Sequence, residues 1–438
     1  MVILGRPKTG IVVHSCVVQY RPVNAARIRQ ARWPLAIGLV LLFAFLMTSA
    51  EPWVPAQRAA TAQQVQAGHS AFRELRRSRV TGQPSDVSLN AADLESIGVL
   101  VGQGFAPNRL AFRLDDKTLT VTASRPILTR WINVRAQASG RSVGFPHLKV
   151  AVGSMHFPTW MSRVALAAGR QVLAIRGVKL PPLDTMIRST SIAGGIVHAN
   201  ILIPATGLID HAVASEALVI SDVTVSSIYC RLTAQQRSAP DQLFAHQLKR
   251  ALTIARPTSE QHAAAIIALA MLVVDPGVGN LVGNTPALAK SCIVPTIETT
   301  LQGRMDWPKH WSMSAALTVA TGNRFTIAMG EWKELSDSLS KSAYLGQDDP
   351  SGFSFVDLAA DRAGFHVARQ LIDAEQLERS RVWLLSADDE QLLPRSATRL
   401  NDGMSNAEFV RRFGATDDPR FGAELQRIDR ELGKAGTF

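Results

Sequence analysis

A chain of 438 residues that is 46% hydrophobic and 19% charged has enough apolar material for folded cores, in about two or three domains, which excludes a disordered protein. Its 47 Lys and Arg against 36 Asp and Glu leave a formal charge of +11. The excess is mostly Arg spread singly along the chain, with no basic stripe interleaved with aromatic residues, so nucleic acid is not an expected partner. Anionic lipid headgroups need less organisation and suit an anchored protein, with a plainly Arg-rich composition as the alternative.

Residues 1–32 form a basic N-terminus that ends in Arg21, Arg27, Arg29 and Arg32. Residues 33–50 follow as an uncharged apolar run that Glu51 closes. Its core, Leu35 to Ala50, is 16 residues, between a signal-peptide core of about 7–15 and the roughly 20 that span a bilayer. Positive charge on the N-terminal flank keeps that flank in the cytoplasm and sends the rest out. The expected location is therefore the inner membrane, single-pass, with the bulk of the chain periplasmic. Thr48 and Ala50 offer a small-x-small cleavage signal. The long stretch before the run favours an uncleaved signal anchor, or reflects a start codon placed too early. Cys230 and Cys292 would then face an oxidising compartment, where one bridge between them and two separate buried thiols are both open readings.

Residues 51–85 are Ala, Gln and Arg rich and predict a linker helix leaving the membrane, with Arg73, Arg76, Arg77 and Arg79 near the headgroups. Residues 86–205 predict an α+β domain. Asn90 caps a helix with Asp93 in its first turn, and period-two segments follow at Leu110–Leu114, Leu119–Ala123, Trp131–Ala136 and His147–Val152. Trp160 to Ile175 resumes helical spacing. This stretch resembles membrane-anchored extracytoplasmic domains of unknown function, through its Leu-Asn helix start, its antiparallel strands and the segment Val152-Gly153-Ser154-Met155-His156-Phe157-Pro158. The resemblance implies fold class and location alone.

Residues 206–375 read as helices. His262 to Val274 is apolar on nearly all sides, and its 13 residues are too short to span a membrane, which predicts a buried core helix. The segment from Arg304 to Arg369 is the place where chemistry could sit. Asp306 can cap a helix in which His310 and Ser314 share a face, Glu334 and Asp337 stand three apart, and Asp357 and Asp361 share a face beside small Ala360 and Gly364. Packed as a bundle, these helices would bring one imidazole and up to four carboxylates together, which calls for a divalent cation, a shared proton or Arg and Lys partners. The competing account uses the same acids for caps and for ion pairs with Lys309, Lys333 or Arg362.

The order Asp306…His310, Lys333-Glu334…Asp337 and Phe355…Asp357-Leu358…Asp361…Gly364 resembles the YfiM-type envelope lipoproteins and, more distantly, the VanZ-like membrane proteins. Trp307 stands where those lipoproteins have Lys, and no lipidated Cys follows the apolar run. The resemblance implies a shared local fold and no reaction. No GxSxG, HExxH, Walker or Rossmann fingerprint occurs. Residues 376–438 form a charged tail with a terminal helix, in which Phe409, Phe413, Phe421 and Leu425 are spaced to dock on the body. The expected function is non-enzymatic: an anchored extracytoplasmic protein, without a cofactor, that binds a lipid, a cell-wall component or an envelope protein. The alternative is a metal-assisted hydrolase or transferase using His310, Glu334, Asp337, Asp357 and Asp361 as ligands or acid-base groups.

Overall fold

The computed structural model describes residues 45–68, 83–104, 107–175, 181–202, 220–283, 285–295, 297–321, 352–434 and 436. The chain forms two units, Met1–Met47 and Thr48–Phe438, and of the first only residues 45–47 are described. Most of the 33–50 run and the basic cluster from Arg73 to Arg79 therefore lie outside the described residues. Among the described residues no helix is long and apolar enough to cross a membrane. The second unit is mixed α+β, with an antiparallel sheet region followed by a helical region.

The larger sheet has the order β3 (Arg109–Leu114), β4 (Thr118–Ile127), β5 (Arg130–Ser139), β6 (His147–Val152), β7 (Met155–Phe157), all antiparallel. These are the period-two segments of the sequence, extended by a residue or more at most ends. A short strand β1 (Thr48–Ser49) pairs with Ile132 and Trp131 of β5. Since β6 pairs only with Val134–Ser139, β1 fills the remainder of that edge. Asn90 and Asp93 form a reciprocal cap at the start of helix α1 (Ala91–Gly104), each side chain accepting from the other's backbone N–H at 3.0 Å. Helix α2 (Thr159–Ile175) packs beside β6.

A second sheet, β2 (Ser85–Asn90), β9 (Ile196–Ile201), β8 (Ile187–Ala193), is absent from the sequence reading. Its hairpin turns at Gly194 and Gly195, whose φ values of 59° and 72° suit glycine. Leu94, Ile192 and Val197 form a small core beneath it.

The main core is helical. Helices α3 (Asp222–Ser238), α4 (Phe244–Ile254), α6 (Trp307–Thr321) and α7 (Phe355–Ile372) surround α5 (Ser259–Val273), in which every residue from His262 to Val273 is buried. Thr258 caps α5 and Ser354 caps α7, each hydroxyl accepting the N–H three residues on. At the α6–α7 crossing a methyl added to Gly364 would collide with the Trp311 carbonyl, so the two backbones meet where only glycine fits. Helices α8 (Leu377–Ser386), α9 (Asn406–Phe413) and α10 (Pro419–Lys434) complete the region. Phe409, Phe413 and Phe421 pack around Phe353 and Phe355 with ring centroids 4.5–5.9 Å apart, so the C-terminal segment is docked on the main core through these rings.

The linker reading of residues 51–85 is corrected in its described part. Val54 is buried, only residues 62–68 are helical, and Ala60, Ala62 and Val65 belong to the main core. Small and branched apolar residues at these positions gain more by burial against the helices than by standing in water. Cys230 and Cys292 are joined by a disulfide, with Cα atoms 5.1 Å apart.

Candidate functional site

The candidate cluster forms where the start of α6 meets the start of α7. Residues 301–304 make a tight turn in which Leu301 and Arg304 bridge each other and Gln302 and Gly303 have φ of 53° and 80°. A left-handed glutamine is uncommon, and this one is held from outside the turn. Its N–H donates to Asp389 at 2.9 Å, and its amide donates to Glu390 and to the Leu393 carbonyl while accepting from Arg395. The turn delivers Arg304 to the mouth of the helix pair, where its guanidinium lies 4.7 Å over the Trp307 ring.

Arg304 donates through Nε to Asp306 at 3.0 Å and through Nη2 to the other Asp306 oxygen, and through Nη1 to Asp402 at 2.9 Å. Its Nη2 also stands 4.0 Å from Asp357 Oδ1. Behind it, His310 Nε2 is 3.5 Å from Asp357 Oδ2 and Nδ1 is 3.4 Å from Asp361 Oδ1. These are ion-pair distances, longer than tight hydrogen bonds. The side chains of His310, Asp357 and Asp361 retain only 10%, 5% and 11% of their exposure. Ser354 places Asp357 by accepting its N–H at 3.0 Å, and one helical turn sets Asp361 beside it.

Electrostatics follow from this packing. Burial works to raise the Asp306 carboxyl, but the hydrogen bond and charge of Arg304, with His310 adding to them, hold it below the ordinary carboxylate value. The Asp306 hydrogen bond in turn raises Arg304, against burial. Both nitrogens of His310 face carboxylate oxygens, and only a doubly protonated ring can donate at both. The arrangement thus suits a cationic imidazole clasped between two acids, capped by a guanidinium. His262 in α5 is a separate case: burial, followed by the charge of Arg381, brings it down to about 4 and keeps it neutral within the core.

Of the five residues expected to converge, the structure brings His310, Asp357 and Asp361 together; Glu334 and Asp337 lie outside the described residues. Ser314 is buried on α6. Asp306 was expected to cap α6, and its carboxylate does accept the Trp307 N–H at 3.1 Å, but its main partner is Arg304. Arg362 takes no part in the cluster; it grips Asp429 of α10, which His366 also contacts at 3.0 Å. Sequence reasoning missed Asp402, whose position before Gly403 marks a turn but says nothing of a partner 98 residues away. Among the described residues no group of three or more His, Cys, Asp and Glu is arranged to hold a metal ion. No family model, curated protein or solved structure matches the chain.

Proposed function

We propose that this chain is a membrane-anchored extracytoplasmic protein whose folded body acts by binding, to a lipid surface, a cell-wall component or an envelope protein, and not by catalysis. The observation that carries the reading is that the C-terminal end of the apolar run is held in the edge of the sheet, so that residues 33–47 are the part left to serve as the anchor. Thr48 and Ser49, inside that run, are strand β1. Arg130 donates to the Thr48 hydroxyl at 2.7 Å and to its carbonyl at 3.0 Å. Asn133, fully buried, donates to the Ser49 hydroxyl and to the Glu51 carbonyl, and accepts the Trp53 N–H at 3.0 Å.

Cleavage after Ala50 would strip β1 from the sheet and remove the Thr48 partners of Arg130 and the Ser49 partner of Asn133, which favours a run that is kept as an anchor. The disulfide between Cys230 and Cys292 supports an oxidising compartment for the body. In this reading the buried cluster at His310 is a brace between α6 and α7. The metal-assisted alternative would need Glu334 and Asp337, which lie outside the described residues, beside His310, Asp357 and Asp361.

A topology experiment tests the proposal. The full chain with a C-terminal tag, expressed in a bacterial host, is expected to resist carbonate extraction from membranes, to be degraded when protease is added outside spheroplasts, and to shift on non-reducing gels when reduced. Protection from external protease in intact spheroplasts, or release into the soluble fraction, would overturn it.

A further inference from the structure

Besides the end of the apolar run, the larger sheet carries an exposed apolar tip. The β4–β5 hairpin turns through Leu128 and Thr129, and Leu128 is 99% exposed with φ of 52°, a conformation that branched and bulky residues rarely adopt. Ile127 beside it is 41% exposed. An apolar pair held out at the tip of a hairpin gains nothing from water. Its position gives it a use: Ile127 pairs with Arg130, and Arg130 is the residue that binds Thr48, where the end of the apolar sequence joins the sheet.

The surroundings of the tip are cationic and aromatic. On the tip side of β3, β4 and β5 stand Arg109, opposite Ser124, with Arg125 and Arg130, and these strands hold no acidic residue; Arg135 lies farther along β5, and Arg113 pairs with Asp115 at the opposite end. Arg109 lies 4.7 Å over the Trp131 ring, and Arg135 lies 4.7 Å over the Trp53 ring. Glu51 is the acid on the adjoining segment from Thr48 to Val54. In membrane proteins Trp is enriched at the level of the lipid headgroups, where the ring body is apolar and its N–H is wet, and Arg is attracted to the phosphates there. An apolar tip above such a collar matches the layering of an anionic bilayer: acyl chains for the leucine, phosphates for the guanidinium groups.

We propose that the β4–β5 tip is a membrane-inserting loop, with Ile127 and Leu128 reaching the acyl region of an anionic bilayer and Arg125 and Arg130 at the phosphates. The inference rests on the anchored reading above.

The test uses the full chain carrying Cys16→Ser, reconstituted into vesicles that contain phosphatidylglycerol, with a nitrobenzoxadiazole probe on Leu128→Cys or, as a control, on Val223→Cys, an exposed position of α3. The Leu128 probe is expected to emit at shorter wavelength and to be quenched severalfold more by acyl-chain spin labels than the Val223 probe. If the protein floats with the vesicles and the two probes are quenched alike, the loop proposal is overturned and the anchor stands. If the protein does not float with the vesicles, both fall.

Discussion

His310 sits between two buried carboxylates, and the sign of its contribution separates a brace from a reactive site. Removing the ring leaves Asp357 and Asp361 facing each other in a poorly solvated pocket with Arg304 4.0 Å from one oxygen. Breaking one partner out of a buried ionic cluster costs about 3–5 kcal/mol, because the remaining charge loses its compensation while its desolvation persists. His310→Ala is therefore expected to lower stability in denaturant unfolding by about 3 kcal/mol. Unchanged or increased stability would mark the cluster as a strained functional site. The pairing itself was legible from helical spacing, since residues four apart on two adjacent helices must present one face each. Arg304 and Asp402 were not legible as a pair. They meet through a turn whose left-handed glutamine is imposed by Asp389, Glu390 and Arg395, and no local pattern encodes contacts over such separations.

Between elements, the decisive joint is α10 on α7. Asp429 receives Arg362 and His366; burial works to raise its carboxyl, yet the hydrogen bonds from His366 and Arg362 and their charges bring it down to about 2 from 3.8. Its folded-state value is depressed, so its stabilisation is fully present above about pH 4 and is lost as the pH falls from there toward 2. The shift corresponds to about 2 kcal/mol. Asp429→Asn is expected to be less stable than the parent at neutral pH by about that amount and to show a shallower loss between pH 4 and 2, measured by urea unfolding across the range. Parallel pH curves for the two proteins would show that the joint does not depend on this carboxylate. The aromatic positions of this tail were readable from their spacing, and so was the helix contact at Gly364. The β2–β9–β8 sheet escaped because β2 was read as the approach to a helix and because polar strand residues such as Ser189, Ser191 and His198 blur the alternation.

At the scale of the whole molecule, the N-terminal part of the body is more tightly built than its composition suggests. The Ala and Gln richness of residues 51–68 reads as a solvated stalk, but Ala60, Ala62 and Val65 are small enough to fit against an already crowded helical core, and sequence alone cannot show that such a surface exists. The body therefore follows the apolar run without a described linker: β1 at residues 48–49, the Asn133 clamp at Ser49 and Glu51, and buried Val54 come in immediate succession. The anchored body requires that run to stay attached. The most direct measurement is the intact mass, with N-terminal sequencing, of the chain purified from membranes. The expected result is a species that retains residues 33–50 and begins upstream of Trp33. A mature protein beginning at Glu51, folded and without strand β1, would contradict it.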